Sequence, residues 1–137
     1  MNKGTVVLDA SALLAFFHRE AGSDVVENVL RQGSVCMSAV NYAEVVIKHV
    51  AKGKDAGTLR ELIRKLGIVV IAFDESSAEA VARLKPKTTT WGLSMADCAC
   101  LTLAKQLDAL ALTADTVWAN IKDECDIKLI RNRNVET

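Results

Sequence analysis

Four carboxylates stand out in the 137-residue chain because of what surrounds them. Asp9 follows Val6-Val7-Leu8, and Glu44 sits between Ala43 and Val45. Asp97 is embedded in Met95-Ala96-Asp97-Cys98-Ala99, and Asp115 lies two residues past Leu110-Ala111-Leu112-Thr113. None has a lysine or arginine beside it in sequence. A carboxylate in apolar surroundings needs a compensating partner. A divalent cation would provide one, and carboxylate donors with hydroxyl neighbours suit Mg²⁺ or Mn²⁺. Zinc would want histidine or cysteine. Cys98 and Cys100, two apart on a helix, point about 200° apart, and His18 and His49 stand alone. The cysteines, Cys36, Cys98, Cys100 and Cys125, read as reduced thiols rather than a disulfide framework.

Each acid also has a purely structural explanation. Asp9 and Asp115 could cap the helices that follow them, and Asp97 completes Ser94-x-x-Asp97, close to a capping box. Glu44 could lie on a solvated helix face or favour a helix N-terminus. Taken together, the four are harder to explain as independent caps, because their positions depend on a common framework.

That framework is an alternation of short β-rich and longer helical runs. Strands are expected at 6–8, 34–37, 68–71, 109–113 and 127–130. Helices are expected at 11–17, 23–31, 41–52, 56–66, 74–84 and 94–107, with a short one at 116–121. Ile68-Val69-Val70-Ile71, apolar on both faces, reads as a central strand. Lys85 to Gly92, holding the only proline, Pro86, reads as a loop. Strands alternating with helices imply βαβ crossovers and a mostly parallel sheet covered on both faces. In such a sheet, sites form beyond the carboxyl ends of the strands. Asp9 and Asp115 fall there directly, and Glu44 and Asp97 begin helices that start at that edge.

Lys plus Arg is 17 and Asp plus Glu is 17, so the formal net charge is zero, which excludes a polybasic nucleic-acid binder. Half of the residues are hydrophobic and a quarter charged, the balance of a folded globular domain. No repeat or linker interrupts it, so one domain over 1–137 is expected. The apolar stretch from Thr5 to Phe17 contains Asp9, which breaks both a membrane span and a signal segment, and a cytoplasmic protein is expected.

In this order and spacing the motifs resemble those of the PIN-domain ribonucleases, in particular the VapC-type toxins of type II toxin–antitoxin pairs. The matching segments are Val7-Leu8-Asp9-Ala10-Ser11-Ala12-Leu13-Leu14, Ser38-Ala39-Val40-Asn41-Tyr42-Ala43-Glu44-Val45, Gly92-Leu93-Ser94-Met95-Ala96-Asp97-Cys98 and Leu112-Thr113-Ala114-Asp115. The resemblance implies a three-layer α/β/α sandwich. It implies a metal-dependent endoribonuclease that cuts single-stranded regions of RNA, with Asp9, Glu44, Asp97 and Asp115 as catalytic and metal-ligating residues. Ser11 and Thr113 would position metal waters or phosphate. It further implies a homodimer and a cognate antitoxin whose C-terminal segment blocks the site. Thr116 stands where the family often has a basic residue. The chemistry would be metal-assisted phosphodiester hydrolysis.

RNA would need positive charge outside the acids. Arg83, Lys85 and Lys87 form one group with Trp91 as a stacking surface; Lys48, Lys52 and Lys54 form a second; Arg131 and Arg133 form a third. Two rivals remain in view. One is a PIN-like module that binds RNA or protein without cutting. The other is a phospho-acceptor domain, but a receiver wants adjacent acids after its first strand and a dehalogenase-type phosphatase wants Asp-x-Asp, where this chain has Asp9-Ala10-Ser11.

Overall fold

A computed structural model of the protein describes residues 4–121 and 124–132. Five strands form one sheet: β1 (Val6–Leu8), β2 (Val35–Ser38), β3 (Ile68–Ile71), β4 (Leu110–Thr113) and β5 (Ile127–Leu129). Every pairing is parallel, and the order is β3-β2-β1-β4-β5. Six α-helices connect them: α1 (Ala10–Phe17), α2 (Ser23–Gln32), α3 (Ala39–Ala51), α4 (Ala56–Lys65), α5 (Glu75–Thr88) and α6 (Met95–Leu107). Single 3₁₀ segments cover Thr89–Trp91 and Thr116–Ile121.

Strand β1 lies in the middle, and its three residues are buried. Side chains alternate across a strand, so Val6 and Leu8 enter a core with residues of α1, α2, α3 and α4, while Val7 enters a second core with residues of α5 and α6. A parallel sheet with helices on both faces is the expected three-layer sandwich. No helix among the described residues is long and apolar enough to cross a membrane.

Two sequence expectations need correction. Ile68–Ile71 is an edge strand, not a central one; Val69 is 58% exposed. The β3–β4 crossover passes β2 and β1, so β3 keeps only β2 as a neighbour. A four-residue apolar run specifies a strand but not its place in the sheet order. The segment 85–92 is not a loop: α5 runs through Pro86 to Thr88, and a 3₁₀ turn continues to Trp91. A proline removes one helical hydrogen bond, but here only two helical residues follow it. The Thr88 and Thr89 hydroxyls both donate to the Lys85 carbonyl at 3.0 Å, which secures this last turn.

Order 3-2-1-4-5 reverses direction at β1. The chain leaves β1 toward β2 on one side and returns to β4 on the other. Crevices open at such switch points, beyond the carboxyl ends of the two strands. Asp9 follows β1 and Asp115 follows β4, so the topology places both at this crevice.

Candidate active site

The crevice is an open cleft of about 470 Å³ whose lining includes Asp9, Glu44, Asp97 and Asp115. Four acids separated by up to 106 positions in sequence therefore share one cavity. Larger clefts exist elsewhere: one of about 600 Å³, lined by Phe16, Phe17 and Leu66, has Glu27 as its acid, and one of about 570 Å³ has Asp24, Asp108 and Asp126.

Asp9 is the anchor. It is only 4% exposed. Its Oδ2 accepts from the Ser11 hydroxyl at 2.5 Å, from the Thr113 hydroxyl at 2.9 Å and from the Ser11 backbone N–H at 3.4 Å. The Asp9 N–H donates to the Leu112 carbonyl at 3.0 Å, which extends the β1–β4 ladder to the site. Burial pushes the Asp9 carboxyl up to about 6; its two hydroxyl donors pull the other way, and the charges of Asp97 and Glu44 add to the rise. The acid is thus held rigidly while its ionisation lacks a local positive partner.

Ser11, which lines the cleft, and Thr113, beneath it, both hold Asp9. Thr113 is fully buried. Its Oγ1 also accepts from the Asp115 N–H at 3.0 Å, and the Ser11 Oγ accepts from the Ala114 N–H at 3.0 Å. Two hydroxyls thereby tie the start of α1 to the end of β4 and set the spacing between Asp9 and Asp115.

Asp97 lies in the first turn of α6 in a complete capping box: its Oδ2 accepts from the Ser94 N–H at 2.9 Å, and the Ser94 Oγ accepts from the Asp97 N–H at 3.1 Å. Asp115 accepts from the Val117 N–H at 3.1 Å through Oδ1. The capping explanations are therefore correct for Asp9, Asp97 and Asp115, yet they do not exclude a site. Each cap engages one carboxylate oxygen, fixes the rotamer and leaves the other oxygen outside these bonds. Burial raises the Asp97 pKa and the charge of Asp115 adds to this, against the Ser94 hydrogen bonds and the charge of Lys85.

Glu44 is placed by a residue that sequence reading passed over as a site element. Asn41 is fully buried one turn earlier on α3. Its Nδ2 donates to the Ala96 carbonyl at 3.1 Å and to Glu44 Oε1 at 3.4 Å. One amide thus links the residue before Asp97 to Glu44. Its signal was a buried polar residue three positions before the acid, which puts both on one helix face. Burial raises the Glu44 pKa; the Asn41 hydrogen bond lowers it, the Asp97 charge raises it and the Lys48 charge lowers it.

The remaining lining is basic at the rim. Lys48 and Arg131 both border the cleft. Arg131 donates to Glu20 Oε1 and to the Ala21 carbonyl, each at 3.2 Å. Glu20, which also lines the cleft, thus pairs with Arg131, and Lys48 is left to supply positive charge where Thr116 does not. The other expected basic groups disperse. Lys85 donates to the Leu93 carbonyl, Lys87 pairs with Glu124 at 3.7 Å, and Arg133 lies outside the described residues. Trp91 is 42% exposed on its 3₁₀ turn. Among the described residues all four cysteines are unpaired, three of them buried.

The donor chemistry fits a hard divalent ion. The available groups are carboxylates backed by hydroxyls, and Asp9 is buried without a cation. Among the described residues, no three His, Cys, Asp or Glu side chains gather tightly enough to enclose an ion. A zinc cage needs that enclosure; Mg²⁺ keeps several waters and takes one or two carboxylates.

Fold and site together define a parallel three-layer α/β protein with an acidic cleft at its switch point. The chain belongs to the PIN domain family, whose sequence profile matches residues 6–124. No curated protein was matched by sequence. Among solved structures, the fold recurs in a toxin–antitoxin complex from Klebsiella pneumoniae (15% identity, TM-score 0.74, covering 94% of this chain and 100% of that one). It recurs in VapBC-1 from nontypeable Haemophilus influenzae (16% identity, TM-score 0.68, 92% and 98%). VapBC2 from Rickettsia felis, bound to a DNA fragment from its promoter, shares it as well (14% identity, TM-score 0.67, 91% and 98%). The resemblance read from the motifs is thereby met at the level of family and fold.

Proposed function

We propose that this chain is a Mg²⁺- or Mn²⁺-dependent endoribonuclease that hydrolyses phosphodiester bonds in single-stranded regions of RNA. In this reading it is the toxin of a toxin–antitoxin pair, a single domain over 1–137 acting in the cytoplasm. The observation that carries the reading is Asp9: a buried carboxylate without a cation, fixed by two hydroxyls, sharing a solvent-open cleft with three more acids. Family membership supports nuclease chemistry. Its structural neighbours among toxin–antitoxin complexes support the biological setting.

Asp9 would hold the ion directly, and Glu44, Asp97 and Asp115 would reach it directly or through its bound waters. A bound divalent ion would lower the pKa of a water and offset phosphate charge. The residues themselves do three things. Ser11 and Thr113 keep Asp9 in one rotamer, so the site is organised before substrate arrives. Asn41 keeps Glu44 level with the first turn of α6. Lys48, exposed on the rim one turn beyond Glu44, can meet a non-bridging phosphate oxygen as a point charge.

Partners follow from the same surface. An antitoxin segment filling the open cleft would block RNA entry. Exposed Ile47, Val50, Leu62, Val69 and Val70 lie on α3, α4 and β3, which pack on one another. A second copy covering them would form the homodimer, since apolar patches of this kind mark association surfaces. The nuclease reading is tested with purified protein, single-stranded RNA and Mg²⁺ or Mn²⁺. Cleavage that stops on chelation supports it; RNA binding without cleavage under any divalent ion points to a non-enzymatic module instead.

A further inference from the structure

Beside the acid cleft, on its α3 side, lies a notch of about 50 Å³ whose lining includes Lys48, His49, Lys52 and Lys54. It is continuous with the cleft, because Leu14, His18 and Lys48 line both. Its polar groups lack an explanation within the chain. The His49 Nε2 is buried and has no hydrogen-bond partner. The Lys52 Nζ lies 3.3 Å from the His18 Nε2. An ammonium can only donate, so this contact makes Nε2 the acceptor and leaves the His18 N–H on Nδ1, the ring nitrogen 3.7 Å from Glu20. None of Lys48, Lys52 and Lys54 forms an ion pair among the described residues. Three lysines and a histidine with an unpartnered ring nitrogen thus line one small space, and no acid lines it among the described residues.

We infer that this notch is a binding site for one backbone phosphate of the RNA, adjacent to the phosphate that would be cut. The inference rests on the nuclease reading for its ligand, and on the notch for its place. Helix geometry sets the offset. Glu44, Lys48 and Lys52 recur every four residues, about 6 Å per step; the notch, lined from Val45 to Lys54, therefore begins beside the acids and reaches roughly 12 Å beyond the level of Glu44 at Lys52. That far end is too distant for the reacting phosphate and suited to a neighbour along an extended strand. Lysine is the appropriate residue here: compact ammonium charges meet a tetrahedral phosphate from several sides without imposing a base preference. His49 would donate through Nε2, which no group among the described residues satisfies. The ribose–phosphate chain would run from the acids over His18 and Lys48 into the notch, and binding would be independent of sequence at that step.

The test uses full-length protein with Asp9→Asn, so that RNA is not consumed, and a fluorescein-labelled 12-nucleotide single-stranded RNA read by anisotropy. The double variant K52M/K54M should bind about 5- to 20-fold more weakly near physiological salt. Its slope of log affinity against log salt should be shallower by about 0.7, the value for one phosphate contact on a single strand. K105M/K128M, which removes equal charge at positions lining neither the cleft nor the notch, should leave the slope unchanged. Histidine-labelled NMR locates the effect, since the chain has only two histidines. Titration with the dinucleotide pUpU should shift the His49 ring signal, and K52M/K54M should abolish that shift.

Equal affinity and slope in K52M/K54M would overturn the inference. So would a loss of affinity with His49 unmoved, which would put the lysines on the backbone elsewhere. A glutamate-rich decapeptide that binds as well as RNA and loses as much in K52M/K54M would overturn it in favour of a protein ligand. The two readings separate cleanly. Wild-type cleavage with no K52M/K54M effect on KM defeats the phosphate site alone, and no cleavage with the full binding effect defeats the nuclease alone.

Discussion

The Thr113 hydroxyl donates to Asp9 Oδ2 at 2.9 Å, across 104 positions of sequence, and joins the ends of the two strands that flank the switch point. The bond is buried, and both oxygens belong to groups with few alternatives. Replacing Thr113 by valine keeps the shape and removes the donor to a buried carboxylate. The expected cost is about 1–3 kcal/mol of stability, as for a buried hydrogen bond to a charged group. Thr113→Ser should recover most of it. Urea unfolding of the three proteins at pH 7.5 measures this, and Mn²⁺ affinity should fall in the valine variant and return in the serine one.

Asp9 titrates near 3.8 in an unfolded chain and near 6 in the folded protein, chiefly through burial. Between those values the folded state binds more protons than the unfolded state. Stability from this group is therefore fully present below about pH 3.8 and is lost as pH rises through 6, by roughly 3 kcal/mol at about 1.36 kcal/mol per pH unit. Asp9→Asn should consequently raise the melting temperature of metal-free protein at pH 7.5, and raise it little at pH 4.5. Mn²⁺ should stabilise the wild type and not the variant, because only the charged acid gains a partner. Binding of the ion should weaken as pH drops below about 6, since a proton then competes for Asp9. Differential scanning fluorimetry across pH, with and without Mn²⁺, reads all three effects.

Asn41 faces two oxygens, the Ala96 carbonyl and Glu44 Oε1, with its amide nitrogen. Asn41→Asp would set a third oxygen against them, and Asn41→Ala would remove the donor to both. Both should lower stability by about 1–3 kcal/mol. The aspartate should do further damage to Glu44 by adding like charge. A lower kcat with Mn²⁺ affinity reduced at least severalfold in Asn41→Asp would mark a positioning role. A loss of stability alone, with metal affinity intact, would reduce Asn41 to packing.

Ile47 is 66% exposed and Val69 58%, unusually high for large aliphatic side chains on neighbouring elements. If a second copy covers them, I47E/V69K should shift the sedimentation coefficient from dimer to monomer while the circular dichroism spectrum stays unchanged. A wild type that sediments as a monomer at micromolar concentrations would remove the dimer from the account.

Much of this arrangement could be read from the chain before its structure. Asp9 after Val6-Val7-Leu8 and Asp115 after Leu110–Thr113 are local statements: a strand ends, an acid follows, and parallel topology fixes the edge. Ser94-x-x-Asp97 is local as well, and the capping box formed as spelled. Three features were not legible because they are not local. The place of Ile68–Ile71 at the sheet edge depends on where a crossover lands, which the run itself does not encode. The helix through Pro86 depends on Thr88 and Thr89 securing the Lys85 carbonyl. The role of Asn41 depends on α6 packing against α3, so that Ala96 arrives opposite an amide 55 positions away. The hydroxyls of Ser11 and Thr113 fall between these cases: their proximity to the acids was evident, but their engagement with Asp9 Oδ2 appears only when β1 and β4 are paired.

The central claim is that four converging carboxylates make this cleft a metal-dependent ribonuclease site. The most direct measurement is gel-resolved cleavage of an end-labelled single-stranded RNA by wild type and Asp9→Asn, each with Mg²⁺, Mn²⁺ or EDTA. Wild type should give discrete cleavage with either metal and none with EDTA. Asp9→Asn should cleave at least 100-fold more slowly, consistent with the loss of several kcal/mol of charge stabilisation. Cleavage that persists in EDTA, or at an undiminished rate in Asp9→Asn, would contradict the claim.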